Sequence, residues 1–177
     1  MKPVLWEDGK VLMVDQRRLP TEETWNTYTD ADGVAEAIKD MVVRGAPAIG
    51  VSAAYGLALE ALNFQGESNG LRTLLQQKAE VLEATRPTAI NLKWALDRML
   101  RLADRLSSQD IESMRDGLVA EAKEIHSEDI RLCKAIGDAG ATLIPEGARV
   151  LTHCNAGALA TGDYGTALGG IRSARDK

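Results

Sequence analysis

The sequence predicts an α+β protein in which a small antiparallel sheet precedes a helical bundle, with one further β-α unit at the end. Three observations carry this. An Asp-Gly turn sits between apolar runs near the start. Helical periodicity then dominates from about residue 32 to residue 137. After Pro145 the composition shifts to a short β-prone run and a glycine-rich loop. The organisation read from these is an N-terminal domain over residues 1–145, and over 146–177 the opening of an incomplete Rossmann-like α/β domain.

Val4-Leu5-Trp6 and Val11-Leu12-Met13-Val14 flank Glu7-Asp8-Gly9-Lys10. The glycine accepts the positive φ that a two-residue hairpin turn needs, so these runs read as paired strands. Thr24 to Tyr28 is β-prone and supplies a third. Asp32 is placed to cap a helix carrying Val34, Ala37, Ile38, Met41 and Val42 at helical spacing. Gly45 ends that helix, and Pro47 opens the next, where a missing N–H costs nothing. This second helix is small-sided, with Gly50, Ser52, Ala53, Ala54, Gly56 and Ala58. Small side chains permit close backbone approach, which places it at the centre of the bundle.

Leu71 to Ala84 returns to helical period and breaks at Thr85-Arg86-Pro87. Thr88 or Asn91 caps a helix with Leu92, Ala95, Leu96, Met99, Leu100, Ala103 and Leu106 on one face. A longer helix carries Ile111, Met114, Leu118, Ile125, Leu132 and Ile136 and stops near Gly137. Cys133 on it reads as a buried small hydrophobe. Arg149 to His153 reads as a strand, and Tyr164 to Arg175 as the helix that follows it. A single parallel strand has no partner within this sequence, which is why the second domain reads as unfinished.

The 177 residues are 45% hydrophobic, with a net charge of −5 and no basic tract. That composition supports a packed core and argues against nucleic acid or an anionic membrane as main partner. Two cysteines do not make a disulfide framework. The first residues meet charge too early for a signal peptide, and no apolar run reaches the roughly 18 to 20 residues of a membrane span. A cytoplasmic protein is expected. Two histidines and two cysteines, scattered along the chain, give no metal-ligand spacing, so neither metal nor cofactor is expected.

Two segments have the chemistry of a site. Arg44-Gly45-Ala46-Pro47-Ala48 sits at a helix start, where free N–H groups and a partial positive charge attract anions. Gly45 lets the backbone approach a ligand, and Arg44 can grip phosphate with two N–H groups. The same segment also reads as an ordinary helix break and restart. Arg86 precedes a proline and is held extended in a loop, from which it can reach a cleft or simply face solvent. The second segment is Thr152 to Thr161. Cys154 falls beyond the carboxyl end of the expected strand, where open α/β sheets collect ligands. A reactive cysteine also requires a cation or helix N-terminus, which the following helix can supply. A buried thiol remains the alternative. His153, its neighbour on the strand, points to the other face and is not paired with it.

Arg44-Gly45-Ala46-Pro47-Ala48-Ile49-Gly50, Thr85-Arg86-Pro87-Thr88-Ala89-Ile90-Asn91-Leu92, and Leu151 to Thr161 followed by Tyr164 to Gly169 resemble the methylthioribose-1-phosphate isomerase family. Asp15-Gln16 with Leu19-Pro20 also fits. The resemblance implies an aldose–ketose isomerase of methionine salvage, converting 5-methylthioribose 1-phosphate to 5-methylthioribulose 1-phosphate. It implies that Arg44, Gly45, Ala46 and Arg86 hold the sugar phosphate and that Cys154 is the active-site cysteine. It implies no cofactor, and a homo-oligomer, a dimer, for the full-length protein. The family's catalytic aspartate and further binding residues lie downstream, so this chain alone is expected to be inactive. Gly162-Asp163 departs from the small neutral residues usual there. Two relatives remain as alternatives: regulatory subunits of a translation-initiation exchange factor, which bind and do not catalyse, and a ribose-bisphosphate isomerase, from which Pro47 separates this sequence.

Overall fold

The computed structural model describes residues 1–176. It is a mixed fold of one three-stranded antiparallel sheet and six α-helices. Strands β1 (Val4–Glu7), β2 (Lys10–Val14) and β3 (Trp25–Tyr28) lie in sequence order. Glu7 pairs with Lys10 and Val4 with Met13. Asp8 and Gly9 between them have φ of 48° and 71°, the two positive values that match a hairpin turn to the twist of its strands. Val4, Val11 and Met13 are fully buried.

Helix α1 (Ala31–Lys39) starts one residue before the expected cap, Asp32. Asp30 is the cap, its side chain accepting from Gly33 N–H at 2.7 Å, while Asp32 is exposed and pairs with Lys78. The helix also stops earlier than its apolar spacing suggests, because Met41 takes a φ of 60°. Gly45 therefore does not end α1. It is the N-cap of α2 (Ala46–Asn63).

Helix α2 is the centre of the bundle, as its small side chains predict. Every residue from Ala48 to Ala61 is buried. A Cβ on Gly50 would lie 2.7 Å from the Asn91 carbonyl, and one on Gly56 would touch Val34 and Leu82. The start of α4 thus approaches α2 at backbone distance, and side chains of α1 and α3 pack against its glycine face. Around it stand α3 (Ser68–Thr85), α4 (Ile90–Leu106) and α5 (Ile111–Ala141). From α3 alone Leu71, Leu75 and Leu82 are buried, each contributing about 1.5–3 kcal/mol of transfer free energy. Glu60, the one charged residue inside α2, accepts from the Ala31 N–H at 2.9 Å and so caps α1 from below.

The face of α4 is as expected. That of α5 is not: Leu132 and Ile136 are exposed, and Cys133, Gly137 and Ala141 face inward. Gly137 does not stop the helix. Its missing side chain makes room for α6 (Ala167–Arg175), since a Cβ there would come within 3.0 Å of the Gly169 carbonyl.

Residues 149–153 form no strand. A parallel strand is held by its neighbours, and among the described residues none lies beside this run. Of the expected β-α unit only the helix is present, and it packs on α5. Between them the chain makes a short 3₁₀ turn at Ala158–Ala160 and an isolated bridge between Gly157 and Gly165. No helix among the described residues is long and apolar enough to cross a membrane.

Candidate active site

The two segments singled out from sequence meet at one cavity of about 540 Å³. Arg44, Gly45, Ala46 and Pro47 line one side, Cys154, Asn155, Leu159, Ala160 and Thr161 the other, with Gln16 and Thr166 between them. Cys154 is exposed and takes a φ of 70°, whereas Cys133 is buried. Burial and the nearby Asp129 carboxylate push the Cys133 thiol above its ordinary range.

The helix N-terminus brought to Cys154 is that of α2, not only that of the helix following in sequence. The first intrahelical bond of α2 runs from Ile49 N–H to the Gly45 carbonyl. That leaves the N–H groups of Ala46 and Ala48 without intrahelical partners, Pro47 having no N–H; Ala46 is exposed at the cavity and Ala48 is buried behind it. At α6 the Thr166 and Leu168 N–H groups both donate to the Ala156 carbonyl, at 3.0 and 3.3 Å. What distinguishes the α2 end is that the Arg44 side chain and Cys154 line the cavity beside it.

Gly45 lines the cavity and also makes a close backbone contact. Its φ is 99°, and a side chain there would overlap the backbone of Ala160. The α2 start and the cysteine loop are thus pressed together at that point. Arg86, the C-cap of α3, is exposed and does not line this cavity. Its carbonyl accepts from Ala89 N–H at 2.9 Å, closing the turn into α4. His153 is exposed.

Two residues with no assignment from sequence hold the cysteine loop from α5. The Gly162 carbonyl accepts from His126 Nε2 at 2.8 Å, and the Gly162 N–H donates to Asp129 Oδ2 at 2.5 Å. A carbonyl only accepts, so the Nε2 of His126 carries the proton, and Nδ1 accepts from the Tyr55 hydroxyl at 2.8 Å. Gly162 must be glycine, as a Cβ would meet the His126 ring at 2.7 Å. The only hint in sequence is that His126 and Asp129 lie three apart on one helix beside the buried Ile125, a polar pair on an apolar face.

Burial lowers the His126 pKa below its ordinary 6.5, against the Gly162 carbonyl and the more distant Asp129 and Asp163, which raise it. The native state therefore binds fewer protons here than the unfolded chain. The resulting stability is complete above about pH 6.5 and is lost as pH falls through the folded value. Asp129, raised by its burial, contributes with the opposite sign. The melting temperature is expected to fall between about pH 7.5 and 5.5, and to fall less steeply in His126→Gln. Equal slopes would remove the histidine from the acid response.

Residues 42–177 match the model of the initiation factor 2 subunit family. The chain belongs to that family. Among curated members, the methylthioribose-1-phosphate isomerases of Geotalea uraniireducens and Geobacter sulfurreducens are each 52% identical over 176 residues, 99% of this chain and 51% of theirs. The chain spans about half the length of the curated relatives it matches. Two crystal structures share the fold. The 5-methylthioribose 1-phosphate isomerase of Pyrococcus horikoshii OT3 superposes with a TM-score of 0.91 at 40% identity, over 97% of this chain and 48% of that one. The translation initiation factor eIF-2B, subunit delta, from A. fulgidus superposes at 0.88 with 37% identity, over 99% of this chain and 51% of that one.

Proposed function

We propose that this chain forms part of a methylthioribose-1-phosphate isomerase of methionine salvage and carries one side of its active site. The supporting observation is the cavity where the open N-terminus of α2 and the exposed Cys154 face each other. In this reading the Ala46 N–H, the Gly45 backbone and the Arg44 guanidinium hold the substrate phosphate, and Arg86, outside this cavity on the α3–α4 turn, is assigned to the substrate by the family resemblance alone. Cys154 lies across the cavity, beside the sugar. A phosphate on C1 prevents ring opening to a free aldehyde, so isomerisation needs an acid at the ring oxygen and movement of hydrogen from C2 to C1. Residues 146–177 then begin the Rossmann-like half, which supplies the remaining groups. The protein of the relatives' length is cytoplasmic and homo-oligomeric, the latter readable as a mass by light scattering.

The isomerase names of the curated relatives favour this reading over a non-catalytic initiation-factor subunit. The test is conversion of 5-methylthioribose 1-phosphate by a protein of the relatives' length carrying this sequence. Arg44→Ala should lower kcat/KM about tenfold or more, since a charge-assisted phosphate contact contributes roughly 1.5 to 3 kcal/mol. No turnover by the parent enzyme would end the isomerase reading. Turnover unaffected by Arg44→Ala would end the phosphate assignment.

A further inference from the structure

Gln16 stands where the two sides of the cavity join, and nothing in the reading above uses it. It is 2% exposed and lies two residues beyond the end of β2. Its backbone N–H donates to the Val42 carbonyl at 3.0 Å, and its carbonyl accepts from Arg44 Nη2 at 3.4 Å. Its side chain reaches the other way, Nε2 donating to the Leu159 carbonyl at 2.8 Å. One residue therefore touches both the segment that enters α2 and the turn that follows Cys154.

The other end of the amide is unpartnered. Gln16 Oε1 is buried and has no hydrogen-bond donor. A buried acceptor left in this state costs about 1–3 kcal/mol, and its presence calls for a reason. Reversing the amide gives no relief, because it would turn Oε1 onto the Leu159 carbonyl, acceptor against acceptor. The orientation is fixed by Leu159, and the orphan atom belongs to a side chain that lines the cavity beside Arg44 and Cys154. The neighbouring charge does not supply a donor either: Asp15 is engaged by Arg17, whose guanidinium holds that carboxyl at about 2, below the ordinary 3.8.

We propose that Gln16 is a substrate-binding and positioning residue, whose Oε1 accepts a hydrogen bond from a hydroxyl of the bound sugar phosphate while Nε2 keeps the Cys154 loop in register with Arg44. The ligand class rests on the proposed function: an anionic head for the α2 N-terminus and a hydroxyl donor within the cavity. Inorganic phosphate under neutral conditions satisfies the first demand well. Only the sugar satisfies the second with a carbon-bound hydroxyl held at a fixed distance from the phosphate.

The experiment compares two probes, inorganic phosphate and 5-methylthioribose 1-phosphate, by calorimetric titration. Both are titrated into the relatives'-length protein carrying this sequence and into its Gln16→Met variant, which keeps the volume and loses both polar atoms. Melting curves establish that the variant is folded. Binding of the sugar phosphate should weaken about tenfold or more in Gln16→Met, with phosphate binding within about twofold of the parent. Gln16→Glu restores the acceptor and should recover part of the sugar-phosphate affinity. Equal weakening of both probes would make Gln16 a purely structural residue and overturn the proposal, as would no change in either. Parent protein that binds phosphate but not the sugar phosphate more tightly overturns the proposal while leaving the anion site standing. Parent protein that binds neither overturns the proposed function and Gln16's role together.

Discussion

Cys154→Ser in the relatives'-length protein is expected to fold with an unchanged melting temperature and to lose most of its turnover, while Cys133→Ser keeps both. The two thiols differ in surroundings rather than in kind. Cys154 is exposed at the mouth of the cavity, facing the α2 N-terminus, and makes no core contact whose loss would be felt as stability. Cys133 is buried on α5, 3.9 Å from the Asp129 carboxylate, where a serine hydroxyl can donate in its place. A positioned group that moves protons typically contributes about 10² to 10⁴-fold to a rate, and the loss should fall in that range. The decisive measurement is kcat with KM, because a cysteine needed only for binding would raise KM and spare kcat. Similar losses in both variants would contradict the division of roles.

Much of the helical architecture was legible in the sequence because it rests on periodicity. The buried set of α4, Leu92, Ala95, Leu96, Met99 and Ala103, follows the predicted face residue by residue. So does the small-sided run of α2, whose composition has only one physical use, close approach. Where the reading failed, the deciding contact lay far off in the chain. Leu132 and Ile136 continue the apolar spacing of α5, yet Cys133 and Gly137 face inward because α6 packs there and needs their small size. Arg149 to His153 is β-prone, but β-propensity is realised only beside a partner strand, and none pairs with it among the described residues.

The site was legible in a different proportion. Arg44, Gly45, Ala46 and Cys154 stood out because backbone N–H groups at a helix start and an accessible thiol are local features. The groups that hold them in place, Gln16, His126 and Asp129, each act across a long stretch of chain. A lone polar residue at an otherwise apolar position is their only trace in sequence. Asp15-Gln16 carries a family resemblance in sequence, whereas the physical place of the glutamine rests on the distant Leu159 carbonyl that its side chain meets.

Gly45→Ala is expected to do more damage than the removal of one methyl-sized contact would suggest, and to do it to kcat as well as to stability. Two penalties coincide at this residue. Its φ of 99° with ψ of 132° lies in a region that L side chains rarely adopt, where backbone strain is about 1–3 kcal/mol. The added Cβ would overlap Ala160 at its Cα, Cβ and carbonyl oxygen, so relief requires movement of backbone rather than rotation of a side chain. Ala160 belongs to the turn that Gln16 holds and that closes the loop bearing Cys154. Displacing it separates the thiol from the α2 N-terminus, and a misplacement of about 1 Å can cost 10²-fold in rate. The expected result is a lower melting temperature together with a loss of kcat of about that size. Adding Ala160→Gly removes one of the three clashing atoms and leaves the backbone two, so it should restore little. Full recovery in the double variant would show that only the two methyl groups compete, and that the α2 start and the cysteine loop are not held in contact through their backbones.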